Sequence, residues 1–331
     1  MRRALLLLYP LPKGGGLAQL TDPRMRIIHS TSMQAQMVDS KVSNLLAQVS
    51  QEELRRTVEI LSKPRHYHAE SLSNQRCAQW IYDRFKAFGY ETHFQGRYRN
   101  VVAIPAIDKS ETAVLVGAHY DSVPGTPGAD DNASGVAALL ECARLIASQG
   151  HSQTAAFVAF NREEDGLLGS ADFVENFLPN SPLNPEGVHV LEMVGYCSHD
   201  PGSQRVPQGL PIRAPSVGNF IGLLGNRDSN HMVDSILAQS ATYFPELVAV
   251  GLKVHLGVEK LLPVLARSDH DPFWRARIPA VMWTDTAEFR NPNYHRATDT
   301  PDTLDYDFLQ SVTQLLLSCL FRADGEDALL G

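Results

Sequence analysis

The chain has 331 residues, 44% of them hydrophobic and 20% charged, with a formal net charge of −8 at pH 7. That is enough length and apolar content for a sizeable core, in one large α/β domain or two small ones. The acidic balance argues against nucleic acid or an anionic membrane as partner, and four widely spaced cysteines without a CxxC pair exclude a thiolate zinc ribbon and a disulfide framework.

Residues 1–32 open with "MRRALLLLYPLPKGGG", an Arg pair followed by a short apolar run that loosely resembles a signal peptide. Pro10 and Pro12 interrupt the run and no small-x-small cleavage site follows. The expectation is a disordered leader, with a catalytic unit over 33–331 and a cytoplasmic location favoured over export. No stretch reaches the roughly 18 apolar residues of a membrane span. Residues 34–63 have helical periodicity, and a second helix is expected over 73–88, stopped by Gly89. Strands are expected at 90–95, 100–106 and 112–120, the last an unbroken apolar run of the kind buried on both faces. A Pro/Gly loop (122–128), a helix (133–148), a strand (154–160), a helix (170–177) and a strand (188–194) continue the alternation. Residues 198–230 are rich in Gly, Pro, Arg and Asn and read as an insertion shaping a binding pocket. A helix at 231–241, a strand at 279–284 and a helix at 306–322 complete the chain. This alternation predicts an α/β fold, a mostly parallel central mixed sheet with helices on both faces, in one domain.

Ligands of such sheets bind beyond the carboxyl ends of the strands. The chemically informative residues fall there in succession: His119 and Asp121, then Asp130 and Asp131, then Glu163 and Glu164, then Glu192, and His295 after the last strand. Imidazole and carboxylate donors without thiolate suit zinc or another borderline divalent ion. Two histidines and three carboxylates exceed one catalytic ion and match two ions about 3.5–4 Å apart sharing a carboxylate, for which Asp131 is the natural bridge.

The segments "GAHYDS", "PGADDNASG", "FNREEDGLLGS" and "NYHRATDTPDTLDY" closely resemble the aminopeptidase family of co-catalytic zinc metallopeptidases, over about residues 60–320 and in the family order. The resemblance implies a di-zinc metallo-aminopeptidase acting on peptide substrates, with a metal-bound water as nucleophile. His119 and Glu192 would hold one zinc, Glu164 and His295 the other, and Asp131 both. Glu163 would be the general base, and Asp121 would fix the His119 tautomer. It also implies a cis peptide at Asp131–Asn132. Tyr294 is an additional oxyanion donor on this reading, and Asp269, in "SDHDPFW", either contacts the substrate α-amine, orients His270 or serves a turn or helix cap. Many family members have aspartate at the position of Glu192, a difference of one methylene. Relatives on the same scaffold include glutaminyl cyclases, glutamate-releasing carboxypeptidases, for which Arg205, Arg213 or Arg227 could receive a carboxylate, and non-catalytic ectodomains, which lose ligands. Retention of the whole ligand set with its base argues against the ectodomain reading, and "FNREEDGLLGS" and "GADDNASGVAALLE" resemble the aminopeptidase branch rather than the cyclase branch. Elsewhere the structural readings are preferred: His66 and His68 at the surface, His189 without a role, and Trp274 and Trp283 in the core.

Overall fold

The computed structural model describes residues 24–105, 113–149 and 155–321. It begins with strand β1 (Met25–His29), followed by helices α1 (Ser40–Leu46), α2 (Gln51–Leu61) and α3 (Ser71–Ala87). Strands β2 (Glu91–Gln95), β3 (Asn100–Ile104) and β4 (Ala113–His119) lead into α4 (Gly135–Ser148), β5 (Ala155–Phe160), α5 (Leu168–Asp172) and β6 (Pro185–Glu192). After β6 come β7 (Phe220–Gly225), α6 (Asn230–Tyr243), β8 (Val248–Val254), α7 (His270–Arg275), β9 (Ala280–Thr284) and α8 (Tyr306–Leu320). Side-chain caps set several boundaries. Asp39 accepts from Lys41 N at 2.7 Å at the start of α1, and Ser50 from Glu53 N at 3.2 Å at the start of α2. The expected helix over 34–63 is therefore two helices, because Ser50 starts a new one.

Among the described residues the strands form one nine-stranded sheet in the order β1-β8-β7-β9-β6-β4-β5-β3-β2. The central strands β5, β4, β6 and β9 run parallel, as the alternation predicts, while β7 is antiparallel to β9 and both edge strands are antiparallel to their neighbours. Strand alternation divides the apolar side chains between two faces. In β5, Ala155, Phe157 and Ala159 pack in the larger core with α2, α3, α4 and α8, while Ala156, Val158 and Phe160 join the smaller core containing Phe173, Phe273 and Trp274.

Two expectations need correction. The leader does not extend to residue 32: Met25–His29 pair with Val250–Val254 of β8, so the folded chain includes residues ahead of Met33, and residues 1–23 lie outside the described region. The segment 198–230 is not wholly irregular, because it contains the fully buried strand β7. Neither β7 nor β8 has a counterpart among the expected elements. β7 reads "FIGLLG", and its two glycines weaken any strand signal. Packing explains one of them, since a Cβ on Gly225 would lie 2.6 Å from a Val233 methyl of α6.

Candidate metal centre

The parallel strands deliver their carboxyl ends to one edge, and the polar residues predicted from sequence meet there. His119 ends β4 and Glu192 ends β6, two neighbouring strands. Asp131 lies in the turn before α4, and Glu163 and Glu164 in the turn after β5. His295 arrives on the loop between β9 and α8.

The Asp131 carboxylate faces two imidazoles, its Oδ1 3.3 Å from His119 Nε2 and its Oδ2 3.1 Å from His295 Nε2. Glu192 Oε2 lies 3.5 Å from His119 Nε2, and Glu164 Oε2 lies 3.3 Å from His295 Nε2. Two groups of donors thus share one carboxylate: His119, Asp131 and Glu192 on one side, Asp131, Glu164 and His295 on the other. Glu163 Oε2 stands 4.0 Å from His119 Nε2. His119, Glu163 and Glu164 form a third donor group, and a fourth among the described residues, Cys197, His199 and Asp305, shares no residue with the others.

The electrostatics of the cluster favour a cation. Burial, and then Asp131, push the Glu164 carboxyl up to about 7. Burial, with Glu192, Glu164 and Asp269 nearby, drives Glu163 well above the carboxylate range, although His119 opposes it. Against burial, which would favour the neutral ring, Asp131 and Glu164 raise His295 to about 10, and Glu192 and Glu163 raise His119. Both buried His119 nitrogens and Glu164 Oε1 make no hydrogen bond. Buried polar atoms seldom go unsatisfied. Imidazole and carboxylate donors in excess negative charge, with these atoms unpartnered, fit zinc.

A lattice of side chain to backbone hydrogen bonds holds the donors. Asp121 accepts from the amides of Glu163 and Glu164 at 3.2 and 3.4 Å, and its Oδ1 stands 3.5 Å from His119 Nδ1. Sequence reasoning gave Asp121 only the imidazole; it also pins the turn carrying both glutamates. The Asp131–Asn132 peptide is cis, as the resemblance implies. Asn132 donates to Leu191 O at 2.8 Å and accepts from Met193 N at 3.1 Å, bracketing Glu192. Arg65 was missed. Its buried guanidinium donates to Tyr120 O at 2.6 Å and Gly128 O at 2.8 Å, fastening the end of β4 to the Asp131 turn. Gly128 has φ +62°, and a Cβ there would lie 2.3 Å from Asp131 O, so only glycine fits. An isolated arginine in "KPRHYH" carries no sequence mark of this role.

The family model comparison matches residues 100–320 to "Peptidase family M28". The chain belongs to peptidase family M28. It is 33% identical over 295 residues to the Escherichia coli (strain K12) uncharacterized protein YfbL, covering 83% of this chain and 88% of that one. It is 30% identical over 259 residues to aminopeptidase YwaD of Bacillus subtilis (strain 168), covering 77% of this chain and 49% of the relative; it thus spans about half of that protein. The fold matches the LapA aminopeptidase structure of Legionella pneumophila with a TM-score of 0.67 at 19% identity, over 88% of this chain and 77% of that one.

In this M28 chain, Glu163, Glu164, Asp131, Glu192, His295 and Tyr294 all line a single cavity of about 570 Å3. Tyr294 stacks on His295 with ring centroids 3.8 Å apart, and its hydroxyl accepts from Arg267 at 3.1 Å. Asp269 departs from expectation. It is fully buried and does not line the cavity, so it does not reach a substrate amine, and it makes no capping bond to α7. Burial pushes its carboxyl up to about 7. His270 is occupied by Leu265 O at 2.9 Å and packs edge-on against Trp274. Of Arg205, Arg213 and Arg227, Arg205 alone lines the cavity, and its guanidinium donates to Glu288 O. His66 is buried rather than superficial, with Nε2 3.3 Å from Asp165 Oδ1.

Proposed function

We propose that this chain is a metallo-aminopeptidase that removes N-terminal residues from peptides, with two zinc ions at the cluster and a catalytic unit that includes strand β1. The observation that carries the two-ion reading is Asp131, whose two oxygens face different imidazoles, His119 and His295. His119 and Glu192 would hold one ion and Glu164 and His295 the other, with Asp131 shared between them. Bound zinc supplies Lewis acidity, which lowers the pKa of water and polarises a carbonyl.

The chain's own groups do the rest. Glu163 Oε2, within the cavity and outside both donor groups of the bridge, takes up the proton that water releases and returns it to the departing amine nitrogen. Asp121 keeps Glu163 and Glu164 apart in role by fixing both of their amides. Tyr294 is positioned by Arg267 to donate its hydroxyl proton to the developing oxyanion.

Hydrolysis of aminoacyl-p-nitroanilides, lost with chelator and restored by zinc, tests the reading. A glutaminyl peptide in the same panel separates it from cyclisation to a pyroglutamyl product, and cyclisation without hydrolysis would overturn it.

A further inference from the structure

The cavity around the donor cluster extends far beyond it. Its floor follows from the sheet register. Glu192 lies opposite Thr284, and Thr284 opposite Gly222, both cavity-lining residues on the strands beside β6. Two residues along the same face, a continuous apolar row crosses four strands: Met282 opposite Leu224, Leu224 opposite Leu252, and Leu252 opposite Ile27. All four line the cavity, and Leu210 and Ile212 of the segment after β6 line it too. From β6 to β1 the floor spans four strand spacings, about 19 Å.

That length exceeds any single side chain. A leucine side chain is three carbon–carbon bonds long and reaches less than about 5 Å. Of the cations lining the gallery, Arg267 pairs with the Glu288 carboxylate and Arg275 with Asp271, and Arg205 donates to the Glu288 backbone carbonyl. An extended apolar group fits the row of Met282, Leu224, Leu252 and Ile27 that crosses the floor.

We propose that the gallery between the β9-β7-β8-β1 floor and the segment after β6 holds a long linear aliphatic chain, and that the enzyme hydrolyses amides of straight-chain carboxylic acids of about twelve carbons. The proposal rests on the amide-cleaving reading of the cluster. In the reaction the acyl carbon–nitrogen bond breaks, water supplies a hydroxyl to the acyl carbon and a proton to the departing nitrogen, and a fatty acid and an amine leave. Twelve carbons contain eleven bonds, which in a tetrahedral zigzag extend about 14 Å, within the floor's span.

The test uses zinc-reconstituted protein and the p-nitroanilides of butanoic, octanoic and dodecanoic acids below their micelle concentrations. Each buried methylene is worth up to about fourfold. The expected result is a kcat/KM rising at least a hundredfold from four to twelve carbons. A profile that is flat or falling beyond six carbons overturns the proposal. Leucine p-nitroanilide in parallel reports the amide-cleaving reading separately, so either idea can fail alone. A second readout needs no metal: dodecanoate should displace 11-(dansylamino)undecanoic acid from zinc-free protein at least tenfold better than hexanoate, and equal displacement overturns the proposal. Leu252→Trp should lower the dodecanoyl-to-butanoyl ratio at least tenfold by blocking the third strand of the floor. Ile27→Trp, at the sheet edge, serves as a second block if Leu252→Trp does not fold. An unchanged ratio in a folded block also overturns the gallery.

Discussion

Asp299 holds Asp131 by its backbone: its Oδ2 accepts from Asp131 N at 3.1 Å, while its Oδ1 accepts from Asp130 N at 2.9 Å. Asp299 is fully buried and lies four residues after His295. One carboxylate therefore ties the loop that presents His295 to the turn that presents the shared Asp131. Asp299→Asn places an amide group against one of these backbone N–H groups. Loss of a buried hydrogen bond to a charged group costs about 1.5–3 kcal/mol. The expected outcome is a lowered melting temperature and zinc affinity reduced about 10–100-fold, the range seen when residues supporting metal ligands are lost. Unfolding curves and competitive chelator titration measure both.

Glu163→Gln removes proton transfer while keeping shape and hydrogen-bonding capacity. Glu163 belongs to neither donor group that contains Asp131. Zinc content is expected to stay near wild type while kcat falls about 10²–10⁴-fold, the usual contribution of a general base. Metal analysis beside steady-state kinetics checks it, and near-normal turnover would remove Glu163 from the base role.

Glu192 stands where many family members have aspartate, and the structure shows how the extra methylene is accommodated. Its Oε2 accepts from Ser268 Oγ at 2.6 Å, while the same oxygen faces His119 Nε2 at 3.5 Å. Ser268 thus aims the longer side chain at the cluster from the segment preceding α7. Glu192→Asp withdraws the carboxylate by about one carbon–carbon bond, 1.5 Å, and breaks that contact. The expected result is a zinc stoichiometry below that of wild type after dialysis against dilute chelator. Ser268→Ala should weaken zinc binding by a smaller factor, about tenfold. Wild-type zinc stoichiometry and affinity in both variants would show that Ser268 does not position Glu192.

The parallel centre of the fold was legible because β4 and β5 are near-continuous apolar runs, followed by the valine-rich β6 and separated by helical segments. The cluster was legible because His119 and Glu192 end strands and the other donors follow strand ends in loops, where side chains of distant sequence position converge. What stayed hidden depends on tertiary contact. β7 carries Gly225, whose reason lies in α6, and β1 pairs with residues more than 200 positions away. Arg65, Asn132 and Asp299 act through backbone atoms, which have no residue type to recognise. Asp269 has the composition of a substrate contact, and only its burial shows otherwise.

Acid sensitivity is expected from two histidines remote from catalysis. His189 is buried in the sheet, and its Nδ1 accepts from Trp283 Nε1 at 3.0 Å, which requires that nitrogen to be unprotonated. His270 is fully buried against Trp274. Burial lowers both imidazoles to about 4. The unfolded chain, with histidines near 6.5, then binds more protons than the folded chain between pH 6.5 and 4. Their stabilisation is complete above pH 6.5 and is lost as pH falls towards 4, by at most about 3 kcal/mol for each residue. His189→Gln keeps an acceptor for Trp283 and cannot titrate. Urea unfolding from pH 7 to 4.5 should therefore give a shallower pH slope for the variant than for wild type. Because the metal centre is common to both proteins, the difference between their slopes isolates His189, and identical slopes would show that His189 does not contribute.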